Sequence, residues 1–176
     1  RNGVEAIRMA IEDFGGTVLG KKIDLVFADH QNKADIAASK AREWFDQNDV
    51  DMILGGTNSG TALAVSGLAA EKKRVYINVG AGTSRLTNEA CNPYTVHYAY
   101  DTVALSRGTG SAILDQGGKS WFFLTADYAF GHSLEGDTAN VVRSKGGTVV
   151  GTVRHPLNAS DFSSFLLQAQ SSKAQI

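Results

Sequence analysis

The stretch Met52–Gly60 reads MILGGTNSG, a short apolar run that ends in glycines and continues into small polar residues. A second stretch, Val75–Ser84, has the same character, with VYINV followed by GAGTS. Each is typical of a strand that ends in a turn. Small residues let backbone N–H groups approach a ligand, and a helix N-terminus carries about half a positive charge. The sequence therefore predicts a small-carboxylate site at these strand ends, where open α/β sheets bind ligands.

Strand and helix patterns alternate on both sides of these turns. Apolar residues at helical spacing predict helices at residues 4–14, 34–47, 60–71, 102–115, 132–144 and 161–171, the last with Ser160 as its N-cap. Apolar runs predict strands at residues 23–28, 52–54, 75–79, 94–100, 121–124, 148–153 and 174–176. The polar segment 84–93 is predicted to be a loop.

This order of elements predicts an α/β fold with mostly parallel, doubly wound sheets. The number of strands is large for one sheet, and residues 96–101 break the alternation, so we expect two lobes. Lobe one is expected at residues 1–98 and lobe two at residues 99–176, with the chain crossing near residue 99. Both ends are expected to be truncated: a first helix and strand of lobe one would begin before Arg1, and the chain would return to lobe one after Ile176.

Bulk composition excludes several classes of protein. The chain has 176 residues, of which 43% are hydrophobic and 20% charged, and its net charge is −1. Near neutrality gives no electrostatic reason to expect nucleic acid or an anionic membrane as a partner. No apolar run approaches the ~20 residues of a membrane span, so direct membrane insertion is not expected. The one cysteine, Cys91, excludes a disulfide within the chain.

Motifs for catalysis, cofactors and metals are also missing from the sequence. Gly118–Ser120 ends like a phosphate-binding loop, but Ile113 occupies the position of the required first glycine. Neither glycine-rich turn has the third glycine of the dinucleotide fingerprint, and Ser59 lacks the flanking glycines of a nucleophile elbow. The four histidines have no metal-ligand spacing. His97, near the crossing, is compatible with a surface position or with the cleft.

A third cluster, Asp127–Gly131 (DYAFG), follows the predicted strand at 121–124. Tyr128 and Phe130 either cover the end of the sheet or close on a ligand from the side opposite the first two turns. Their position at the end of the predicted strand favours the second interpretation, contact with a ligand. For Asp127 two interpretations stay open. It caps the next helix, or it accepts a hydrogen bond from the ligand.

Four stretches resemble the periplasmic solute-binding proteins of branched-chain amino acid-type ABC transporters: ADHQNK (28–33), AGTS (81–84), TADYAFG (125–131) and SDFSSF (160–165). The resemblance covers the entire chain and is closest to members associated with aromatic acids. It implies two α/β lobes that close on a ligand around a hinge, with no catalytic residues. It also implies a periplasmic location, or an extracellular one with a lipid anchor, and an ABC permease as partner.

The resemblance also assigns positions in the site. In amino-acid-binding members a Ser in the first turn and an Ala/Thr turn after the next strand hold the carboxylate and ammonium, and Ser59 and Ala81–Thr83 match them. Phe130 stands where those members usually have Tyr, which makes the wall more apolar. The expected ligand-binding residues are Asn58, Ser59, Ala81, Gly82, Thr83, Asp127, Tyr128 and Phe130.

The sequence thus predicts a binding protein for a small carboxylate, with an aromatic acid as the expected ligand. Three alternatives stay open. The ligand could be a branched-chain amino acid, the chain could be the effector-binding domain of a regulator or receptor, or it could be a doubly wound enzyme.

Overall fold

The computed structural model of the protein describes residues 2–176. Its elements are α1 (Asn2–Asp13), β1 (Thr17–Val18), β2 (Lys21–Lys22), α2 (Ala34–Gln47), β3 (Met52–Gly55), α3 (Ser59–Lys72), β4 (Val75–Asn78), a 3₁₀ helix (Ser84–Thr87), β5 (Thr95–His97), α4 (Thr102–Leu105), a π-helical segment (Ser106–Gly110), α5 (Ser111–Asp115), β6 (Ser120–Ala126), α6 (Ala129–Ser144), β7 (Thr148–His155) and α7 (Ser163–Ser171). None of the helices in this described part of the chain has both the length and the apolarity of a bilayer span.

Lobe one is built on the parallel sheet β3–β4–β5, in which Leu54 pairs with Ile77 and Ile77 with Val96. Helices α2 and α3 pack against each other, and α3 also contacts β4. The buried core of this lobe consists of Ala37, Ala41, Phe45, Ala62, Val65, Leu68, Ala69, Tyr76, Ala81 and Leu86. The two glycine-rich turns follow the carboxyl ends of β3 and β4. Because these strands are parallel, both turns lie at the same edge of the sheet.

Lobe two is built on the parallel pair β6–β7, with Leu114, Trp121 and Val142 at its core. The segment predicted as a strand at 174–176 lies alongside β6, where the Phe122 N–H donates to the Ile176 carbonyl at 2.8 Å. The predicted fold class, α/β with two lobes built on parallel sheets, is confirmed. The boundary between residues 98 and 99 stays a prediction.

One predicted strand is wrong. Residues 23–28 have a strand-like pattern, yet beyond Ile23 they form no backbone ladder with any other segment in residues 2–176. Instead, β1 and β2 form a small antiparallel hairpin across Leu19 and Gly20, which both have positive φ. A strand requires a paired neighbour, so alternation alone cannot produce one. Phe27 is accordingly exposed.

Several element ends also differ from the predictions. β5 covers only 95–97 of the predicted 94–100, because the chain leaves the sheet for the crossing after the Tyr98 N–H donates to the Asn78 carbonyl. The predicted helix at 132–144 begins earlier, at Ala129. The predicted cap Ser160 is wrong, since α7 begins at Ser163 and the Asp161 carboxylate accepts its N–H at 2.9 Å. Hydrogen bonding by the Ser163 side chain, and next by this backbone N–H, lowers the pKa of Asp161. The expected start of α1 before Arg1 lies outside the described residues.

The core of lobe one contains one polar atom without a partner. The Tyr76 hydroxyl is buried and makes no hydrogen bond in the described structure, and burial raises its pKa. It lies under Gly56, which has φ +90°, and a Cβ at that position would collide with the hydroxyl and lie 2.5 Å from Asn78 Oδ1. Only glycine therefore fits the turn after β3.

We predict that Tyr76→Phe leaves the free energy of unfolding unchanged or raises it by up to about 1 kcal/mol, because it removes an unpaired buried hydroxyl. Gly56→Ala is expected to lower it by about 1–3 kcal/mol through steric collision and backbone strain. Urea denaturation of the purified protein measures both values. A loss of stability in Tyr76→Phe would show that the hydroxyl has a partner.

Candidate ligand-binding site

The first turn is shaped by a helix cap. Asn58 has extended backbone dihedrals, and its Oδ1 accepts the Thr61 N–H at 3.1 Å, so Asn58 is the N-cap of α3. Ser59 is the first residue of the helix and only 1% exposed, and its Oγ accepts the Thr83 N–H at 3.3 Å. The N–H groups of the first helical turn have no intrahelical acceptor, so the positive end of α3 points out of this turn.

The second turn is held by side chains that act on its backbone. Asn78, fully buried at the end of β4, donates to the Ala81 carbonyl at 2.7 Å and accepts the Ala81 N–H at 3.1 Å. His97 Nε2 lies 2.7 Å from the same carbonyl, and because a carbonyl only accepts, this nitrogen carries the hydrogen. Past the crossing, the Thr102 N–H donates to the Gly82 carbonyl at 2.8 Å. His97 thus supports the turn.

Thr83 joins the two turns to lobe two. Its Oγ1 lies 2.7 Å from Ser133 Oγ on α6, and it also accepts the Arg85 N–H at 3.3 Å. Thr83 is fully buried, so its polar groups are engaged by neighbours in this structure. In contrast, no hydrogen bond within residues 2–176 uses the Ser59 hydroxyl hydrogen or the Gly82 N–H.

A cavity of about 50 Å³ lies between the turns and lobe two. Its lining contains no charged side chain and consists of Thr57, Ser59, Gly80, Ala81, Gly82, Tyr100, Tyr128 and Phe130. The structure therefore brings together five of the eight predicted residues. The sequence prediction did not include Thr57 and Gly80, although both lie in the two glycine-rich turns. It also did not include Tyr100, because its local sequence pattern does not distinguish it from other residues near the crossing.

Three predicted residues lie outside this lining. Asn58 and Thr83 stand directly behind it, as the helix cap and the interlobe contact described above. Asp127 is half exposed, and its Oδ1 lies 2.7 Å from His132 Nε2 on α6. The interpretation of Asp127 as a helix cap is wrong, because α6 begins without a side-chain cap. Its interpretation as a ligand contact stays a prediction.

Aromatic rings form the side of the cavity opposite the turns. The Tyr128 and Phe130 ring centroids are 6.0 Å apart, with a tilt of 40° between the rings. A Cβ at Gly82 would lie 2.8 Å from a ring carbon of Tyr100 and 3.0 Å from one of Phe130. Glycine at this position therefore lets two rings rest directly on the backbone of the second turn.

Metal binding has no support in the part of the chain that the structure describes, since no three His, Cys, Asp or Glu side chains cluster there in a way that could hold an ion. Cys91 is exposed and unpaired in these residues.

Two α/β lobes that meet at the carboxyl ends of their strands, with a cavity between them, are the architecture of type I periplasmic binding proteins. The chain belongs to the periplasmic binding protein family, which it matches over residues 1–176.

Solved structures agree with this assignment. A periplasmic binding protein from Burkholderia mallei is 70% identical with a TM-score of 0.96, and the match covers 99% of this chain and 47% of that protein. A branched-chain amino acid ABC transporter periplasmic ligand-binding protein from Burkholderia xenovorans LB400 is 40% identical with a TM-score of 0.73. The match covers 97% of this chain and 46% of that protein. A solute-binding protein of an ABC transporter from Rhodopseudomonas palustris BisB5, in complex with 3,4-dihydroxybenzoic acid, is 31% identical with a TM-score of 0.82. The match covers 96% of this chain and 46% of that protein. The chain spans about half the length of these proteins, which are binding proteins and not enzymes.

We predict that the Tyr128 phenol ionises at higher pH than a free tyrosine, because burial, and next the charge of Tyr100, raise its pKa. A raised phenol pKa favours the protonated form in the folded state. This group therefore lowers stability as pH rises past the ordinary tyrosine value of about 10. Ultraviolet titration of wild type minus Tyr128→Phe isolates its ionisation. A difference curve centred at the ordinary value would contradict the burial seen here.

Proposed function

We propose that the whole protein is the solute-binding component of an ABC importer and that it binds a small aromatic carboxylate between its lobes. It works outside the cytoplasmic membrane, in the periplasm or anchored at the outer surface by a lipid, and delivers its ligand to a membrane permease. Family membership supports the binding role and the location. The relative in complex with 3,4-dihydroxybenzoic acid supports the ligand class.

The observation that carries this proposal is the division of the cavity into a polar and an aromatic side. On the polar side are the Ser59 hydroxyl, the Gly82 N–H and the N-terminus of α3. On the other side are the rings of Tyr100, Tyr128 and Phe130. An aromatic acid has the same two parts, a charged carboxylate and a flat apolar ring.

The carboxylate docks on lobe one through the Ser59 hydroxyl and the Gly82 N–H, both of which have a hydrogen to donate. Hydrogen bonds to a charged group contribute about 1.5–3 kcal/mol each, and the helix dipole adds to them. When the lobes close, the aromatic rings pack on the body of the ligand. Closure is a shift of population toward the state in which the ligand has more contacts, and the permease would recognise this state.

A branched-chain amino acid is the second candidate ligand, because the relative from Burkholderia xenovorans is the ligand-binding protein of a branched-chain amino acid ABC transporter. An α-amino acid brings an ammonium group, which requires a carboxylate or several carbonyl acceptors when buried. The lining described here holds no carboxylate, and the Ala81 carbonyl already accepts from Asn78 and His97. The lining from residues 2–176 therefore supplies no carboxylate partner for an ammonium group.

A ligand panel tests the proposal. The whole protein is screened by thermal shift and then by calorimetry against benzoate, 4-hydroxybenzoate, 3,4-dihydroxybenzoate and cinnamate, and in parallel against leucine, isoleucine and valine. A ligand at 100 times its dissociation constant stabilises by about 2.7 kcal/mol, which is readily measured. We expect stabilisation by aromatic acids. Stabilisation by the aliphatic amino acids alone would overturn the aromatic assignment.

We predict that Ser59→Ala weakens binding of the aromatic acid by about tenfold or more, because it removes a donor to the carboxylate. Ser66→Ala is the matched control: Ser66 is buried in the same helix, but its hydroxyl contacts Thr95 and Asn92, away from the cavity. The control is expected to lose stability and keep its affinity. Calorimetry measures both, and equal affinity of Ser59→Ala and wild type would exclude this serine from the dock.

A further inference from the structure

A second cavity, of about 300 Å³, lies beside the first between lobe one and one face of α6. Ser84, Arg85 and Glu89 line it from lobe one, and His132, Ser133 and Asp137 are among the α6 residues that line it from lobe two. Asp137 differs from these neighbours because its carboxylate is the acceptor of an interlobe hydrogen-bond network.

The Asp137 carboxylate binds two buried hydroxyl groups with one oxygen. Its Oδ2 accepts from Ser84 Oγ at 2.9 Å and from Thr102 Oγ1 at 2.6 Å. Thr102 Oγ1 in turn accepts the Ser84 N–H at 3.1 Å. Thr102 is fully buried and Ser84 nearly so, and hydrogen bonds to a carboxylate are stronger than those between neutral groups. The three residues therefore form a closed triangle, with the Ser84 backbone N–H as one side, that ties lobe one to α6.

This triangle is continuous with the second turn of the ligand cavity. Ser84 follows Thr83 directly, and the Thr102 N–H holds the Gly82 carbonyl at 2.8 Å. On α6, Ser133 and Asp137 are four residues apart and share one face of the helix. The helix thus presents Ser133 to Thr83 and Asp137 to Ser84, so consecutive residues of the turn are bound by consecutive turns of α6.

We propose that Asp137 is a positioning residue for ligand binding, although it does not line the ligand cavity. It fixes α6 against the Gly82–Ser84 turn, and α6 begins at Ala129, between the two rings Tyr128 and Phe130. The separation between the aromatic wall and the carboxylate dock therefore depends on this contact. The inference rests on the proposed function for its ligand, and on the interlobe geometry for its mechanism.

The test compares three variants of the whole protein, each with whichever member of the ligand panel the wild type binds. Asp137→Ala removes the acceptor, Asp137→Asn retains one acceptor oxygen without charge, and Asn140→Ala is the control. Asn140 lies on the same helix and lines the same cavity, and its side chain makes no hydrogen bond in the described residues. Affinity is measured by calorimetry and dissociation by stopped flow.

We expect Asp137→Ala to weaken binding by about tenfold or more, with the loss in the dissociation rate, because a looser contact between the lobes lets the ligand escape. Asp137→Asn is expected to recover part of the affinity, and Asn140→Ala to match wild type. If Asp137→Ala lowers only the melting temperature and keeps both affinity and dissociation rate, the residue is merely structural and the proposal fails.

A distance measurement without ligand separates this inference from the proposed function. Cys91 is exposed in lobe one and serves as one spin-label site, Ser164→Cys on α7 provides the other in lobe two, and any cysteine outside residues 1–176 is replaced by serine. Asp137→Ala is expected to broaden the interlobe distance distribution relative to Asn140→Ala. Identical distributions would overturn the positioning role even if an aromatic acid binds. Failure of every aromatic acid would instead overturn the proposed ligand class and leave this readout intact.

Discussion

The paired hydrogen bonds between the Asn78 side chain and the Ala81 backbone are the constraint on which the site depends. They replace the strand ladder where β4 ends, and they bend the chain so that its next residues face the cleft. A buried amide is favourable only when its donors and acceptors are satisfied, and both bonds to Ala81 meet that condition. His97 adds a second donor to the same carbonyl, so the turn is fixed from β4 and from β5.

This rigid turn explains why small residues line the lobe-one side of the cavity. A Cβ at Gly80 would lie 3.0 Å from the Gly56 carbonyl oxygen, and one at Gly82 would press on Tyr100 and Phe130. The two turns and the aromatic wall therefore approach each other at van der Waals distance only because side chains are missing there. Larger residues would separate the proposed carboxylate dock from the aromatic rings, so packing and the proposed binding geometry require the same small residues.

Sequence reasoning succeeded where the signal was local. The strands β3 and β4, the turns after them and the helix α3 each combine an apolar period with turn and cap residues, and the structure has all of them close to their predicted limits. It failed for 23–28, because pairing depends on a distant neighbour. It could not find the contacts of Thr83 with Ser133 or of Ser84 with Asp137, which join residues 50 and 53 positions apart and consist of common polar residues.

The neutrality of the cavity lining has a consequence for how the lobes respond to a ligand. A cationic side chain would attract any anion to the open cleft, whereas hydroxyl, N–H and helix-dipole donors act only at hydrogen-bonding distance. In the structure the Thr83 and Ser133 hydroxyls satisfy each other across the lobes, so contact between the lobes does not leave these groups unpaired. A ligand can shift the equilibrium only by its differential affinity for the two states. Under the proposed function that difference comes from the aromatic wall, since the proposed carboxylate dock lies in lobe one and Tyr128 and Phe130 lie in lobe two.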